Sequence, residues 1–507
     1  MPEAAKKFRI FYLSWIAPVE GSGATLAMRR HFVEHRDFEV FVATTADFSE
    51  SGIYSLKLSR PAWLKRLSNT RWVRLVYHFE ILFQATRLSP DVLKAAQEFR
   101  PQAVFTVADL SLSEQARKLA RMLKVPLIVN FQDWWPRGQF YYDFEKPYFW
   151  ARPILERRFR RLYREANLAF CTSEGMKEFL GPHPNSHVLY PIGARDESSV
   201  ESRASRDESK EEKAKTDLNT DFMDGLGCRT TKYTDFHENG KQGDAQGTCA
   251  GDSESDSLTS KLADAPVSES LISSADGPAS SPANSHSQPD TAPLALDSGR
   301  STLDSVAAKR GKKRLIYTGT AFGSYGKMLQ ELARELEKQD DWELVIFGNT
   351  PDWPKEELKR AQQTGLYRGL LKFEELQREL HEADACLAVM SFEPELEVMM
   401  RTSFTTKMLD YCRVGKPLIL WGPEYCSPIR LAVRSKAALV VTESDTRRVL
   451  EQMERILKEH SLSEKLCTSA RLLSQEELGH QNIHGVLRRE INHLTALTTR
   501  NYFSQSW

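Results

Sequence analysis

Short apolar runs alternate with amphipathic stretches of about ten to fifteen residues, twice over, on either side of one long polar block. In the first flank the strand-like runs are 8–14, 39–44, 103–107, 127–130 and 168–172, and the helix-like stretches are 24–35, 112–123, 154–164 and 174–180. A second series opens at 314–319 and continues through helix 328–337, strand 342–348, helix 355–363, strand 385–390, helix 403–413 and strands 417–421 and 438–441. Successive parallel strands cannot be joined by a tight turn and need a crossover, which a helix supplies. The pattern therefore predicts an α/β chain with two Rossmann-like domains, 1–195 and 311–480, facing a cleft. The segment 481–507 is expected to be a helix packing back toward the first domain. Ligands in such folds bind beyond the carboxyl ends of the strands.

The block between the flanks has a different composition. Residues 196–308 hold 10 Lys+Arg against 22 Asp+Glu, whereas 1–195 hold 29 against 19, so a whole-chain balance of 69 to 69 hides a basic first half. With one Tyr, two Phe and no Trp, the block lacks the apolar surface to offset the cost of ordering its backbone. Residues 196–310 are therefore expected to form a long disordered linker or insertion. Apolar runs such as 437–441 fall far short of the ~20 residues that cross a bilayer. The charged start, 1–9, leads straight into a strand without a signal-peptide core. Seven cysteines without a CxxC pair fit neither a disulfide framework nor a thiolate zinc site. A cytoplasmic protein is expected.

Two loops stand where such folds place phosphate. Gly21-Ser22-Gly23 lies between the first strand and first helix, with Leu26 where a dinucleotide fingerprint has its third glycine. A tight turn and a phosphate or sugar contact both remain open there. Thr318-Gly-Thr-Ala-Phe-Gly-Ser-Tyr-Gly326 occupies the matching place in the second half. Gly319, Thr320 and Gly323 are candidates for a pyrophosphate cradle at a helix N-terminus, with Lys327 the nearest cation.

The most specific stretch is Arg401-Thr-Ser-Phe-Thr-Thr-Lys-Met-Leu-Asp-Tyr-Cys-Arg-Val-Gly-Lys-Pro-Leu-Ile419. It resembles the donor-binding signature of glycosyltransferases with the GT-B fold, particularly family 4, in which an acid precedes a Gly-x-Pro turn and a buried strand. The resemblance implies that Asp410 accepts hydrogen bonds from the ribose hydroxyls of a nucleotide. It also implies that Thr402, Ser403, Thr405 and Thr406 meet phosphate oxygens and that Lys407 adds charge. An ordinary amphipathic helix capped by Ser403 is the other reading. Asn167-Leu-Ala-Phe-Cys-Thr-Ser-Glu-Gly-Met176 is similar to a family segment whose hydroxyl and helix start face the cleft, here Ser173 and Glu174. His187-Val-Leu-Tyr-Pro-Ile-Gly193 is similar to the segment that enters the inter-domain hinge. Asn130-Phe-Gln-Asp-Trp-Trp-Pro136 resembles an Asp-x-Trp-Pro segment that places Asp133 near the acceptor hydroxyl and lets Trp134 or Trp135 line an acceptor site. For Asp133, a turn or helix-cap role stands equally open. The likeness covers about 8–194 and 312–495.

Two features depart from the family. Eight positions before Asp410, where a first glutamate often stands, the chain has Thr402, and Glu393, Glu395 and Glu397 are off the spacing. The usual Arg and Lys after the first strand of the second half are also missing, which leaves Lys327 and Lys407.

The resemblance implies transfer of a sugar from a nucleotide-sugar co-substrate to an unidentified acceptor, such as a lipid-linked or polysaccharide chain. It implies retention of anomeric configuration, no metal and no other cofactor. A nucleotide-sugar 2-epimerase and a non-catalytic GT-B sugar-binding scaffold are the alternatives. His31, inside the first helix, reads as a packing or surface residue. The basic stretches 63–74 and 154–164 interleave Arg/Lys with aromatic and aliphatic residues, and both a helix lying on anionic lipid and a domain helix with a solvated face fit them. Peripheral contact with the inner membrane face is expected on the first reading. Nucleic acid is not expected, because no recognised binding module accompanies the charge.

Overall fold

Every ladder between neighbouring strands is parallel, and the strands form two separate sheets. In this computed structural model the described residues are 7–21, 23–137, 146–194 and 311–504, without the side chains of Thr86, Arg137 and 495–504. The expected disordered insertion, 196–310, and Ser22 lie outside the described residues. The first sheet contains β1 (Arg9–Leu13), β2 (Glu39–Thr44), β3 (Tyr54–Lys57), β4 (Ala103–Val107), β5 (Leu127–Phe131), β6 (Leu168–Cys171) and β7 (Ser186–Val188), in the order β3-β2-β1-β4-β5-β6-β7. The second contains β8 (Lys313–Thr318), β9 (Trp342–Phe347), β10 (Tyr367–Gly369), β11 (Ala385–Val389), β12 (Leu418–Trp421) and β13 (Leu439–Val441), in the order β10-β9-β8-β11-β12-β13. Helices cover both faces of a parallel sheet, so its central strands are apolar throughout. β4, β5 and β11 are buried at every residue. This is the two-domain GT-B arrangement of Rossmann-like sheets.

The helices Leu112–Leu123, Glu174–Leu180 and Lys355–Gln363 fall where periodicity puts them. The first helix runs Ala24–Arg29 and then widens into a π-turn, Arg30–Glu34, which turns His31, Phe32 and Val33 into the core. One predicted helix is corrected. Residues 403–413 do not form a single helix: Glu397–Thr402 ends first, Ser403 is extended, and the next helix is Lys407–Val414. Thr402 turns its hydroxyl back to the Val398 carbonyl (2.8 Å), so Ser403 follows a helix end instead of capping a helix start. Gly415, at φ 67°, then stops helix Lys407–Val414 in the left-handed conformation ahead of β12.

The last helix, His480–Ser504, returns to the first half. Its Ile483, Leu487 and Ile491 share one buried cluster with Tyr190 and Ile192 of the first half and Met408 and Leu409 of the second. A second seam joins the halves beside β6. Helix Glu397–Thr402 leaves orphan carbonyls at its end. Ser173 Oγ donates to Thr402 O (2.6 Å) and Ser427 Oγ to Arg401 O (2.6 Å). A Cβ on Gly175 would stand 2.0 Å from Arg401 O, so only glycine lets the two backbones meet.

Candidate functional site

In the second sheet the strand order reverses between β8 and β11, which opens a crevice at their carboxyl ends. Helix Lys407–Val414 is fixed over this crevice by Tyr411. Its buried hydroxyl accepts from Thr318 N (2.8 Å) and shares a hydrogen bond with Thr318 Oγ1 (3.0 Å). The chain leaves β8 through Gly319, whose φ is 107° and whose N–H donates to Phe347 O (2.7 Å). A Cβ on Gly319 would lie 2.5 Å from Lys407 Cε and 3.0 Å from Nζ. The glycine is therefore the space into which Lys407 extends.

Lys407 Nζ lies 5.2 Å from the Tyr317 ring centre and 5.9 Å from that of Tyr325. Among the described residues no carboxylate or hydrogen-bond acceptor meets this ammonium. Ring faces compensate only part of the lost hydration. Burial accordingly pushes the Lys407 pKa down to about 8. A half-buried cation without a counter-ion beside an open glycine loop favours an anion. Thr320, Thr405 and Thr406 carry side-chain hydroxyls without hydrogen bonds among the described residues, and Thr320 O accepts from the Tyr317 hydroxyl. Thr406 precedes the helix and is exposed. Gly323, at φ 62°, opens helix Gly323–Leu336, and its N–H is taken by Asp352 Oδ2 (3.0 Å). Lys327 stands on the exposed side of that helix, paired with Glu393 at 3.5 Å.

Asp410 lies one turn on from Lys407. Its carboxylate has no hydrogen bond among the described residues, and burial raises its pKa against the opposing pull of Arg413 and Arg30. Arg30 belongs to the π-turn of the first half and donates to Ile192 O (2.6 Å). Sequence reasoning passed over this arginine, because nothing local to residue 30 shows that helix Lys407–Val414 will face it.

On the first half the residues divide. Asp133, after β5, accepts from Ser403 Oγ (3.0 Å), which joins the two halves beside the crevice. Gly21 and Gly23 are exposed between β1 and the first helix, with positive φ of 153° and 57°. A Cβ on Gly23 would meet open space. Glu174 is half-buried in the first turn of helix Glu174–Leu180. Two expectations are corrected. Ser173 is fully buried, caps that helix through Met176 N (3.0 Å) and ties the seam, so it holds the halves together and does not line a cleft. Trp134 and Trp135 are buried at 3% and 7% exposure. The Trp134 ring meets Phe179 (4.7 Å) and Phe159 (5.1 Å) edge-on, which makes it core of the first half and not an acceptor platform.

The basic stretches separate as well. Helix Arg152–Glu165 turns three of its arginines onto the protein, Arg158 on Ile81 O and Leu82 O, Arg160 on Phe179 O and Arg161 on Glu114, while Arg152, Arg157 and Arg164 stay exposed. Helices Ala62–Ser68 and Val73–Leu82 instead leave Trp63, Trp72 and Leu75 more than half exposed. No helix among the described residues is long and apolar enough to cross a membrane.

Residues 21–190 match a family model described as a glycosyl transferase 4-like domain. A search of curated proteins gives no match. Among solved structures, Anabaena HepE in complex with UDP-glucose aligns at TM-score 0.52 and 10% identity, over 96% of this chain and 99% of that one. Sucrose-phosphate synthase from Thermosynechococcus elongatus aligns at 0.52 and 10%, over 97% and 100%. The α,α-trehalose 6-phosphate synthase of Burkholderia multivorans aligns at 0.51 and 9%, over 99% and 98%. At such identities these likenesses speak for the fold. The chain thus has the GT-B fold of these neighbours and, over residues 21–190, resembles a family 4-like glycosyltransferase.

Proposed function

We propose that this protein transfers a sugar from a nucleotide-sugar, held by its C-terminal half, to an acceptor presented by its N-terminal half. The observation that carries the reading is the Lys407 ammonium, half-buried and without an anionic partner among the described residues where β8 opens at Gly319. A donor diphosphate supplies that partner. Asp410, one turn along, accepts from the ribose hydroxyls, and Thr320, Thr405 and Thr406 offer donors to phosphate oxygens. The departing diphosphate gains charge in an oxocarbenium-like transition state. A preplaced ammonium stabilises that charge without reorganising when the bond breaks. The anomeric configuration is retained, and Lys407 takes over the charge neutralisation that a divalent ion would otherwise supply. Asp133, fixed by Ser403, is the carboxylate on the acceptor side and orients the acceptor hydroxyl. The neighbour HepE was crystallised with UDP-glucose, which makes UDP the first nucleotide to try.

The acceptor in this reading is lipid-linked, and the exposed Trp63, Trp72 and Leu75, flanked by Lys65, Arg66 and Arg71, rest on an anionic membrane face. Flotation with anionic vesicles tests this part: Trp63→Ala with Trp72→Ala should abolish binding, and undiminished binding would refute it. The donor site is tested by calorimetric titration with UDP, GDP, ADP and TDP, on wild type and Asp410→Ala. One nucleotide should bind wild type and lose about 1–3 kcal/mol on the substitution. Absence of binding by all four to folded protein would overturn the proposal.

A further inference from the structure

The first helix and the last meet through imidazoles. His31 Nδ1 lies 3.1 Å from His484 Nδ1, and His35 Nε2 lies 2.9 Å from His480 Nε2. His484 Nε2 lies 2.9 Å from Asp37 Oδ2, and His480 Nδ1 lies 2.8 Å from Gly193 O. The His35 and His484 rings stack with centroids 3.5 Å apart and planes within 1°. One tautomer pattern satisfies all four contacts with every ring neutral. His480 donates to Gly193 O and accepts from His35, while His484 donates to Asp37 and accepts from His31. Two chains of imidazole, one ending on a carboxylate, are an unusual way to fill a seam that Leu or Phe would pack as well.

Neutral imidazole and carboxylate are the ligand types of a borderline divalent transition ion. One ligand atom each from His35, Asp37 and His484 lie within 4.8 Å of one another. The edge of a tetrahedron with bonds of about 2.0–2.1 Å is about 3.4 Å, so a contraction of at most about 1.4 Å brings them onto one ion. We propose that His35, Asp37 and His484 form a Zn²⁺ site, with the adjacent His480 as the further imidazole, that clips the last helix to the first. On binding, His35 turns out of its stack on His484 to aim a lone pair at the ion, and Arg488, 3.6 Å from Asp37, yields the carboxylate. None of the three ligands belongs to the donor site, so this inference stands apart from the proposed function.

The test uses full-length protein freed of metal by a chelator. Titration with Zn²⁺ against a chromophoric chelator should show one tight equivalent, and Co²⁺ should give visible d–d bands of a low-coordinate nitrogen and oxygen site. Zn²⁺ should also raise the thermal transition, as any ligand of the folded state does, whereas Mg²⁺ should not. His35→Gln with His484→Gln should weaken Zn²⁺ binding by about 100-fold or more and remove the Co²⁺ bands. Should that pair fail to fold, Asp37→Asn is read by the same spectrum and should shift or remove the bands. Absence of stoichiometric Zn²⁺ binding by folded wild type would overturn the proposal, and so would bands unchanged in either variant.

Discussion

Replacing Lys407 by Met removes one charge while keeping an unbranched stem between Gly319 and the Tyr317 ring. Two unit charges about 4 Å apart at an effective dielectric of about 20 attract by about 4 kcal/mol. A diphosphate also loses hydration on entering the site, so the net loss expected is about 2–3 kcal/mol, or roughly 30- to 150-fold in affinity. Uridine, which lacks the phosphates, should lose little. Stability should move the other way. The folded-state pKa, about 8, lies below the ordinary value of 10.5, so the folded protein sheds this proton first. Between those values the unfolded chain holds more protons, and stability rises with pH through that window. Each tenfold loss of proton affinity on folding is about 1.4 kcal/mol against the charged form. Below about 8 the buried charge therefore opposes folding, and the Met variant should be at least as stable as wild type. Calorimetry with UDP and uridine, below and above pH 8, reads all of this: wild-type UDP affinity should fall as pH rises past about 8 and level off about 30- to 150-fold lower, near that of the Met variant. A Met variant that binds UDP as wild type does, or that loses uridine as strongly as UDP, would refute the reasoning.

Three further outcomes are expected. Gly319→Ala puts a Cβ 2.5 Å from Lys407 Cε at a φ of 107°, so it should weaken UDP more than uridine and lower the thermal transition. Gly175→Ala drives a Cβ to 2.0 Å from the Arg401 carbonyl; it should cost about 2–4 kcal/mol by chemical denaturation, and a neutral result would show that the seam gives way freely. Arg430→Ala removes a pair of 2.7 Å contacts with Glu178 across the same seam, but both side chains are exposed, so the denaturation midpoint should shift by less than about 1 kcal/mol.

The central strands of both sheets were legible because they are buried on two faces and so read as unbroken apolar runs. The strands that sequence passed over, β3, β7 and β10, all lie at sheet edges and are only three or four residues long. That Lys407 and Asp410 are neighbours was legible because one short helix carries both and their spacing survives folding. The partners of Ser403 and Ser173 were hidden for a common reason. Each hydroxyl serves a partner in the other half, Asp133 or the Thr402 carbonyl, and no local pattern reports such a pairing. Trp134 misled because an aromatic beside an acid looks the same in sequence whether the ring faces a ligand or Phe159. The imidazole seam was illegible for a simpler reason, since its two sides come from opposite ends of the chain.

The chain departs from the first half at Gly193 and re-enters it at His480, and these two residues are hydrogen-bonded to each other at 2.8 Å. Outgoing and returning backbone therefore pass one point, as the leaves of a door meet at its pin. A swing of one half against the other about this pin would leave that bond intact, but it would have to open the seam of Ser173 with Thr402, Asp133 with Ser403 and Glu178 with Arg430. Displacement in such a motion would be least at the pivot and grow with distance from it. The segment 196–310 leaves the first half beside this pivot, where a motion of that kind would displace its start least.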